Sequence, residues 1–85
     1  MYNIDPKTIL WRKADPELVV LNLKTGHYYM LDEIGIVLWE GLLKNLPPET
    51  IAKKMVEEFE VDYKTALEDT RECIEQLTAA GIITK

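Results

Sequence analysis

The chain has 85 residues, of which 47% are hydrophobic and 29% are charged, and its formal net charge is -5. This length suits one small domain, and this composition is typical of a chain that folds rather than of a disordered one. The negative charge argues against nucleic-acid binding, which relies on clustered Lys and Arg, and the longest apolar run is far shorter than the ~20 residues that a membrane span needs.

The first part of the chain is predicted to form three strands. Between the first two prolines, the β-branched and aromatic residues of Lys7–Lys13 favour a first strand. The Val- and Leu-rich run Glu17–Leu23 favours a second, largely buried strand. Gly26 can supply the positive φ of a tight hairpin loop, so we expect His27–Leu31 to fold back antiparallel on the second strand.

A first helix is predicted to begin after Asp32, whose carboxylate can accept hydrogen bonds from the free amides of the first turn. The segment Lys44–Pro48 should end this helix, because the residue before a proline disfavours helical geometry. Its apolar residues Ile34, Val37, Leu38 and Leu42 recur at helical spacing, with Trp39 beside them.

Two further helices are predicted in the second half of the chain. One begins near Pro48, which a first helical turn tolerates. The other is capped by Asp62, runs to about Ala80 and ends at Gly81. The final Ile82 and Ile83 are expected to return to the core or to form a short extended tail. The apolar residues expected to face inward are Ile51, Ala52, Met55, Val56 and Phe59 on the second helix, and Ala66, Leu67, Thr70, Cys73, Ile74, Leu77 and Ala80 on the third.

The element order predicts the fold class. Three strands followed by three helices indicate an α+β, winged-helix-like domain over residues 1–85, with a three-stranded antiparallel N-terminal sheet packed on three C-terminal helices.

Residues that could carry chemistry are few. His27 and Cys73 are the only histidine and cysteine, and neither belongs to a set with metal-ligand spacing. The acidic residues fall mostly on the polar faces of helices, where carboxylates are normally solvated. The sequence therefore predicts no catalytic residue, no metal and no cofactor. Without a second cysteine or a signal peptide at its start, the chain is expected to be cytoplasmic.

A binding role remains, because a small sheet has edges. An edge strand presents unpaired N–H and C=O groups on which a partner can add a strand, and side-chain pockets then give selectivity. The simpler interpretation is that the side chains of Tyr28–Leu31 divide between the core and an ordinary surface, as the alternation of any strand requires. The residue pattern by itself leaves both open.

The sequence from "VLNLKTGHYYMLDEIGIVLWEGL" through "PPETIAKKM" and "EFEVDYKTALEDT" to "QLTAAGIITK" resembles the PqqD family over Glu17–Ile83. One departure is Asp32, where Asn is common in the family, and both residues cap helices well. The matching positions are Thr25, Gly26, Tyr28, Leu31, Gly35, Trp39, Val61, Asp62, Leu77, Gly81 and Ile82.

The resemblance implies a recognition element for ribosomally made, post-translationally modified peptides. In such proteins the leader segment of a precursor peptide adds as a strand to the third strand and lies against the third helix. The net charge further favours a leader that carries Lys or Arg. By resemblance, the leader-binding residues are expected to be His27, Tyr28, Tyr29, Met30, Leu31, Ala66, Leu67, Thr70, Cys73 and Ile74.

The expected partners follow from that role. A module that holds the leader would deliver the precursor to a leader peptidase, a cyclase or a radical enzyme of the same pathway. Lasso-peptide synthesis is the favoured setting, and pyrroloquinoline quinone synthesis is the alternative. Three other readings stay open from the sequence: a winged-helix DNA-binding module, although the third helix is acidic; a subunit that completes a larger active site; and a homodimer formed through the sheet edge.

Overall fold

The computed structural model describes residues 2–84, and within them the chain forms three strands followed by three helices. Strands β1 (Ile9–Ala14), β2 (Glu17–Asn22) and β3 (Tyr28–Leu31) make one antiparallel sheet in the order β1-β2-β3. The predicted α+β class with an N-terminal sheet is confirmed. β1 begins two residues later than predicted.

The loop between β2 and β3 is built on Gly26. Its φ is +78°, which glycine adopts without steric cost, and its amide donates to the Asn22 carbonyl at 2.8 Å. The Thr25 hydroxyl accepts from the His27 amide at 3.2 Å, so a local hydrogen bond fixes the entry into β3. The predicted hairpin is confirmed.

Helix α1 spans Glu33–Leu43, α2 spans Pro48–Glu58 and α3 spans Tyr63–Ala79. The predicted caps are present: Asp32 Oδ1 accepts from the Gly35 amide at 2.8 Å, and Asp62 Oδ1 accepts from the Thr65 amide at 2.7 Å. The hydrogen bond from Thr65 lowers the pKa of Asp62. Gly81, with φ of +72°, ends α3 as predicted.

The core lies between the inner face of the sheet and the helices. α1 packs on β2 and β3, and α2 packs on α3. Trp39 on α1 is almost wholly buried and meets the Trp11 ring of β1 edge to face, with ring centroids 5.5 Å apart. The buried apolar residues are Ile9, Leu18, Val20, Leu31, Leu38, Trp39, Leu42, Ile51, Ala52, Met55, Ala66, Ile74, Leu77, Ile82 and Ile83.

Burial on α2 differs from the sequence expectation. Val56 is 38% exposed and Phe59 is half-buried at the C-cap, so the prediction that both are buried is wrong. The buried face of α2 is formed by Ile51, Ala52 and Met55, and Val56 lies about 100° around the helix from Met55, at the edge of that face.

Ile82 and Ile83 enter the core, which decides between the two expectations for the end of the chain. The next residue, Thr84, pairs with Asn3 through an isolated β-bridge, in which the Thr84 amide donates to the Asn3 carbonyl at 3.0 Å. The two ends of the described chain are thereby held together. In this same range, 2–84, no helix is long and apolar enough to cross a membrane.

Candidate functional site

The open side of β3 is the first element of the candidate site. Within the described residues β3 pairs with β2 alone, in the register Leu21↔Tyr28 to Leu18↔Leu31. The Asn22 amide donates to the His27 carbonyl at 2.8 Å. Because antiparallel ladders alternate, the backbone N–H and C=O groups of Tyr29 and Leu31 face β2, and those of Tyr28 and Met30 face away from it.

The same alternation sorts the side chains of β3. Leu31 is buried and Tyr29 is half-buried on the inner face, whereas Tyr28 and Met30 are 65% and 53% exposed on the outer face. Both exposed side chains therefore stand at the positions whose backbone groups are free. A strand added here would pair with the backbone and meet these two side chains on its outer face.

A depression of about 530 Å³ lies at the beginning of β3, between the strand and the C-terminal end of α3. We call it the tyrosine end. It is lined by Gly26, His27, Tyr28, Tyr29, Ala79 and Ala80.

A second depression, of about 350 Å³, lies where β3 ends. We call it the acidic end, because three carboxylate residues line it together with apolar ones. The lining residues are Glu17, Met30, Leu31, Asp32, Ile34, Gly35, Leu38, Met55, Asp69 and Cys73.

The two depressions lie at the two ends of β3, and residues at or near α3 line both of them. We call the pair, with the stretch of β3 between them, the β3–α3 groove. From residue 27 to residue 31 a strand advances about 13 Å, and from residue 79 back to residue 69 a helix advances about 15 Å. β3 and α3 thus run side by side in opposite directions with matching lengths. The groove is long enough for an extended segment of about four residues.

Asn22 connects the two walls of the groove. Its side chain is buried; Oδ1 accepts from the Lys24 amide at 2.9 Å, and Nδ2 donates to the Ala80 carbonyl at 3.2 Å. One amide group therefore holds both the β2–β3 loop and the C-terminal end of α3. Buried polar groups of this kind are costly to leave unpaired, so Asn22 fixes the position of α3 relative to β3.

Gly35 makes room for the end of β3 against α1. A Cβ at this position would lie 2.9 Å from Leu31 Cβ and 3.2 Å from its Cδ2. Glycine thus permits Leu31 to pack closely on the first turn of α1, beside the acidic end.

The predicted strand residues all reach the groove. His27, Tyr28 and Tyr29 line the tyrosine end, and Met30 and Leu31 line the acidic end. Leu31 is 6% exposed, so its side chain forms part of the buried floor of the acidic end and offers little free surface. Their contact with a peptide stays a prediction.

The predicted helix residues divide differently. Ala66, Thr70 and Ile74 are buried in the core, and the Thr70 hydroxyl donates to the Ala66 carbonyl at 2.7 Å. Leu67 is half-buried against the core, and Cys73 alone of the five lines the groove. Peptide contact by these five also stays a prediction, and the geometry favours Cys73.

Several groove residues were absent from the sequence prediction. Asp69 lies four residues before Cys73, and this spacing places both on one side of a helix, so it could have been found from the sequence. Glu17 and Asp32 carry no such signal, because the fold brings them to the groove from other elements. Ala79 and Ala80, at the C-terminal end of α3, were not predicted as groove residues, and Ala80 was expected only to face the core.

His27 lines the tyrosine end of the groove and Cys73 lines its acidic end. Burial raises the pKa of the Cys73 thiol, and the charges of Asp32 and Glu72 raise it further, so the thiolate is disfavoured. His27 is exposed at the mouth of the tyrosine end. Across the part of the chain that the structure describes, there is no group of three His, Cys, Asp or Glu side chains able to hold a metal ion.

The fold and the groove define a small α+β domain in which an open strand edge lies beside a helix. Residues 17–83 match the family of coenzyme PQQ synthesis protein D (PqqD). This match spans most of the chain, so the chain belongs to the PqqD family, and the resemblance read from the sequence is confirmed.

Two solved structures are similar to this chain. The structure of TbiB1 in complex with the TbiA(beta) leader peptide is 30% identical in sequence with a TM-score of 0.82, covering 94% of this chain and 92% of that one. A lasso peptide synthetase B1 complexed with the leader peptide is 23% identical with a TM-score of 0.87, covering 99% and 98%. The second shows a common fold. No curated protein matches the chain.

Proposed function

We propose that this chain binds the leader segment of a ribosomally made precursor peptide as an added strand on β3, in the β3–α3 groove. The observation that carries the proposal is the open β3 edge, whose free N–H and C=O groups at Tyr28 and Met30 lie beside a groove walled by α3. The family match supports it, and so does the leader peptide in the complex of the similar TbiB1.

The other edge of the sheet is a poorer site. Just before β1, the Thr8 carbonyl accepts from the Leu23 amide, so the alternation turns the backbone groups of Trp11 and Lys13 outward. Lys13, which is exposed, adds a charge to this edge strand, and charged side chains on an edge discourage strand addition. Neither of the two groove depressions extends to β1. We therefore propose β3, and not β1, as the strand to which the leader adds.

Backbone pairing alone is too weak to hold a disordered leader. Tyr28 and Met30 offer four hydrogen-bonding groups, each worth about 0.5–1.5 kcal/mol net. Ordering a residue costs about 1–2 kcal/mol, so ordering four residues costs as much as this gain or more. Apolar anchors that fill the two depressions must supply the rest, at about 1.5–3 kcal/mol for each buried side chain.

The module acts by delivery and carries no catalytic residue in this proposal. Holding the leader raises the effective concentration of the attached core peptide at a partner enzyme. The setting we favour is lasso-peptide or similar biosynthesis, with a leader peptidase and a cyclase as partners, because both similar structures hold leader peptides. The family description favours a second candidate, presentation of a precursor to a radical enzyme in pyrroloquinoline quinone synthesis. The whole chain, 1–85, is proposed as one recognition domain, acting in the cytoplasm where ribosomes make the precursor.

The test is a fluorescence anisotropy titration of the purified chain. The labelled probes are the leader of the precursor encoded nearest its gene, the TbiA(beta) leader, and a scrambled version of each. The proposal expects saturable binding of an authentic leader with a Kd of about 1 μM or tighter, and weak binding of its scrambled version. If authentic and scrambled leaders bind alike, the groove has no leader specificity and the proposal fails.

A further inference from the structure

The acidic end of the groove brings together carboxylates from three separate elements. Glu17 opens β2, Asp32 follows β3 and Asp69 lies on α3, and all three line the same depression of about 350 Å³. None of the described residues that line it is Lys or Arg. The chain thus supplies no cation of its own within the lining of this depression.

The floor of this depression is apolar. It includes the buried Leu31, Leu38 and Met55, with the half-buried Cys73 between the floor and the rim. Burial is the main cause that raises the pKa of the Cys73 thiol, and the charges of Asp32 and Glu72 raise it further. The site therefore combines a small apolar floor with a negatively charged rim.

We propose that the segment added to β3 carries an apolar side chain that enters the acidic end and a Lys or Arg within two residues of it. Resting on the proposed function, this specifies the chemistry of the leader. Two strand residues span about 7 Å, and a Lys or Arg side chain then reaches the rim while its aliphatic stem covers the apolar floor. Complementary charge at such a rim speeds association and selects among partners.

The placement also gives the added strand a register. The apolar residue fixes which part of the segment meets the end of β3, and the cation distinguishes that part from other apolar stretches. An extended segment with an acidic residue at this position would place a fourth carboxylate beside Glu17, Asp32 and Asp69, so the groove should reject it.

The experiment compares three forms of the full chain against the labelled leader of the precursor encoded nearest its gene. They are the unchanged protein, Glu17→Gln/Asp69→Asn in the acidic end, and Glu49→Gln/Glu57→Gln on α2, which changes the net charge equally but lies outside the groove. Asp32 is left in place because it caps α1. Each is titrated at about 20 mM and about 300 mM salt, since screening lengths shorten strongly over this range.

The expected result is that the acidic-end variant binds about tenfold more weakly at low salt and loses most of its salt dependence. The α2 variant should bind like the unchanged protein. Equal weakening in both variants would mean that net charge, and not the acidic end, causes the effect, and it would overturn the inference. Unchanged affinity in the acidic-end variant would also overturn the inference, while the proposed function stands.

Two other outcomes are separable. If the unchanged protein does not bind the leader, the proposed function fails together with the inference. The acidic end could instead be occupied by a second copy of the chain. Sedimentation velocity of the three proteins without peptide tests this by measuring whether each is a monomer or a dimer. A dimer that the acidic-end variant dissociates and the α2 variant does not would assign the acidic end to self-association and overturn the inference.

Discussion

The variant Met30→Pro tests whether leader affinity comes from the backbone of β3 or from its side chains. The Met30 N–H faces away from β2, so Met30→Pro removes no hydrogen bond of the sheet, and edge strands tolerate proline at such positions. It does remove a donor that the proposed added strand uses. Met30→Ala is the matched control, because it shortens the side chain and keeps the N–H.

The magnitude follows from the one lost donor. A leader carbonyl left without its partner in the groove costs about 1–3 kcal/mol, and 1.4 kcal/mol corresponds to tenfold in Kd. We therefore expect Met30→Pro to bind the leader about 5- to 150-fold more weakly than Met30→Ala.

Anisotropy titration of both variants with the same labelled leader measures this ratio, and thermal unfolding checks that both are folded. Equal affinity of the two folded variants would refute backbone pairing at this position. A scan with N-methylated leaders gives the complementary evidence, since sensitivity should recur at every second residue of the segment that pairs with β3.

Other parts of the chain give three further predictions. Gly41→Ala should lower the free energy of unfolding, because the added Cβ would lie 2.6 Å from Cγ1 of the fully buried Ile51. Overpacking costs about 1–3 kcal/mol, against the ~1 kcal/mol that alanine gains over glycine in a helix. A higher free energy of unfolding, measured by chemical denaturation, would contradict this prediction. Asn22→Ala should lower the free energy of unfolding by about 1–3 kcal/mol and also weaken leader binding, because it releases α3 from the β2–β3 loop. A folded variant that is less stable but binds the leader with unchanged affinity would contradict the role of Asn22 in positioning the groove. The alkylation rate of Cys73, followed by mass spectrometry, should have a pH midpoint above the ordinary cysteine pKa of about 8.5, because burial raises the pKa of this thiol. Bound leader should slow the reaction. A midpoint at or below the ordinary value would contradict the burial of Cys73.

The features that could be predicted from the sequence are those with local causes. The Gly26 loop, the Asp32 and Asp62 caps and the end of α3 at Gly81 each depend on residues a few positions apart. Such signals are complete within a short window of sequence, which is why they were found.

The features that were missed depend on distant residues. The Asn22 side chain bonds the Ala80 carbonyl 58 positions away, and nothing around Asn22 indicates that partner. The carboxylates of Glu17 and Asp69 look solvated in their own strand and helix, and they share a depression because the chain folds. Helical spacing placed Thr70 and Cys73 on one stripe, but it could not show that the first is buried and the second lines the groove.

Amide hydrogen exchange followed residue by residue by NMR, with and without saturating leader, tests the central claim most directly. Leader binding should slow exchange at Tyr28 and Met30, whose N–H groups face the open edge, while Trp11 and Lys13 on the outer edge of β1 stay fast. Tyr29 and Leu31 should be protected with or without leader, because they pair with β2. Saturated binding that leaves Tyr28 and Met30 exchanging at their free rates would contradict strand addition to β3.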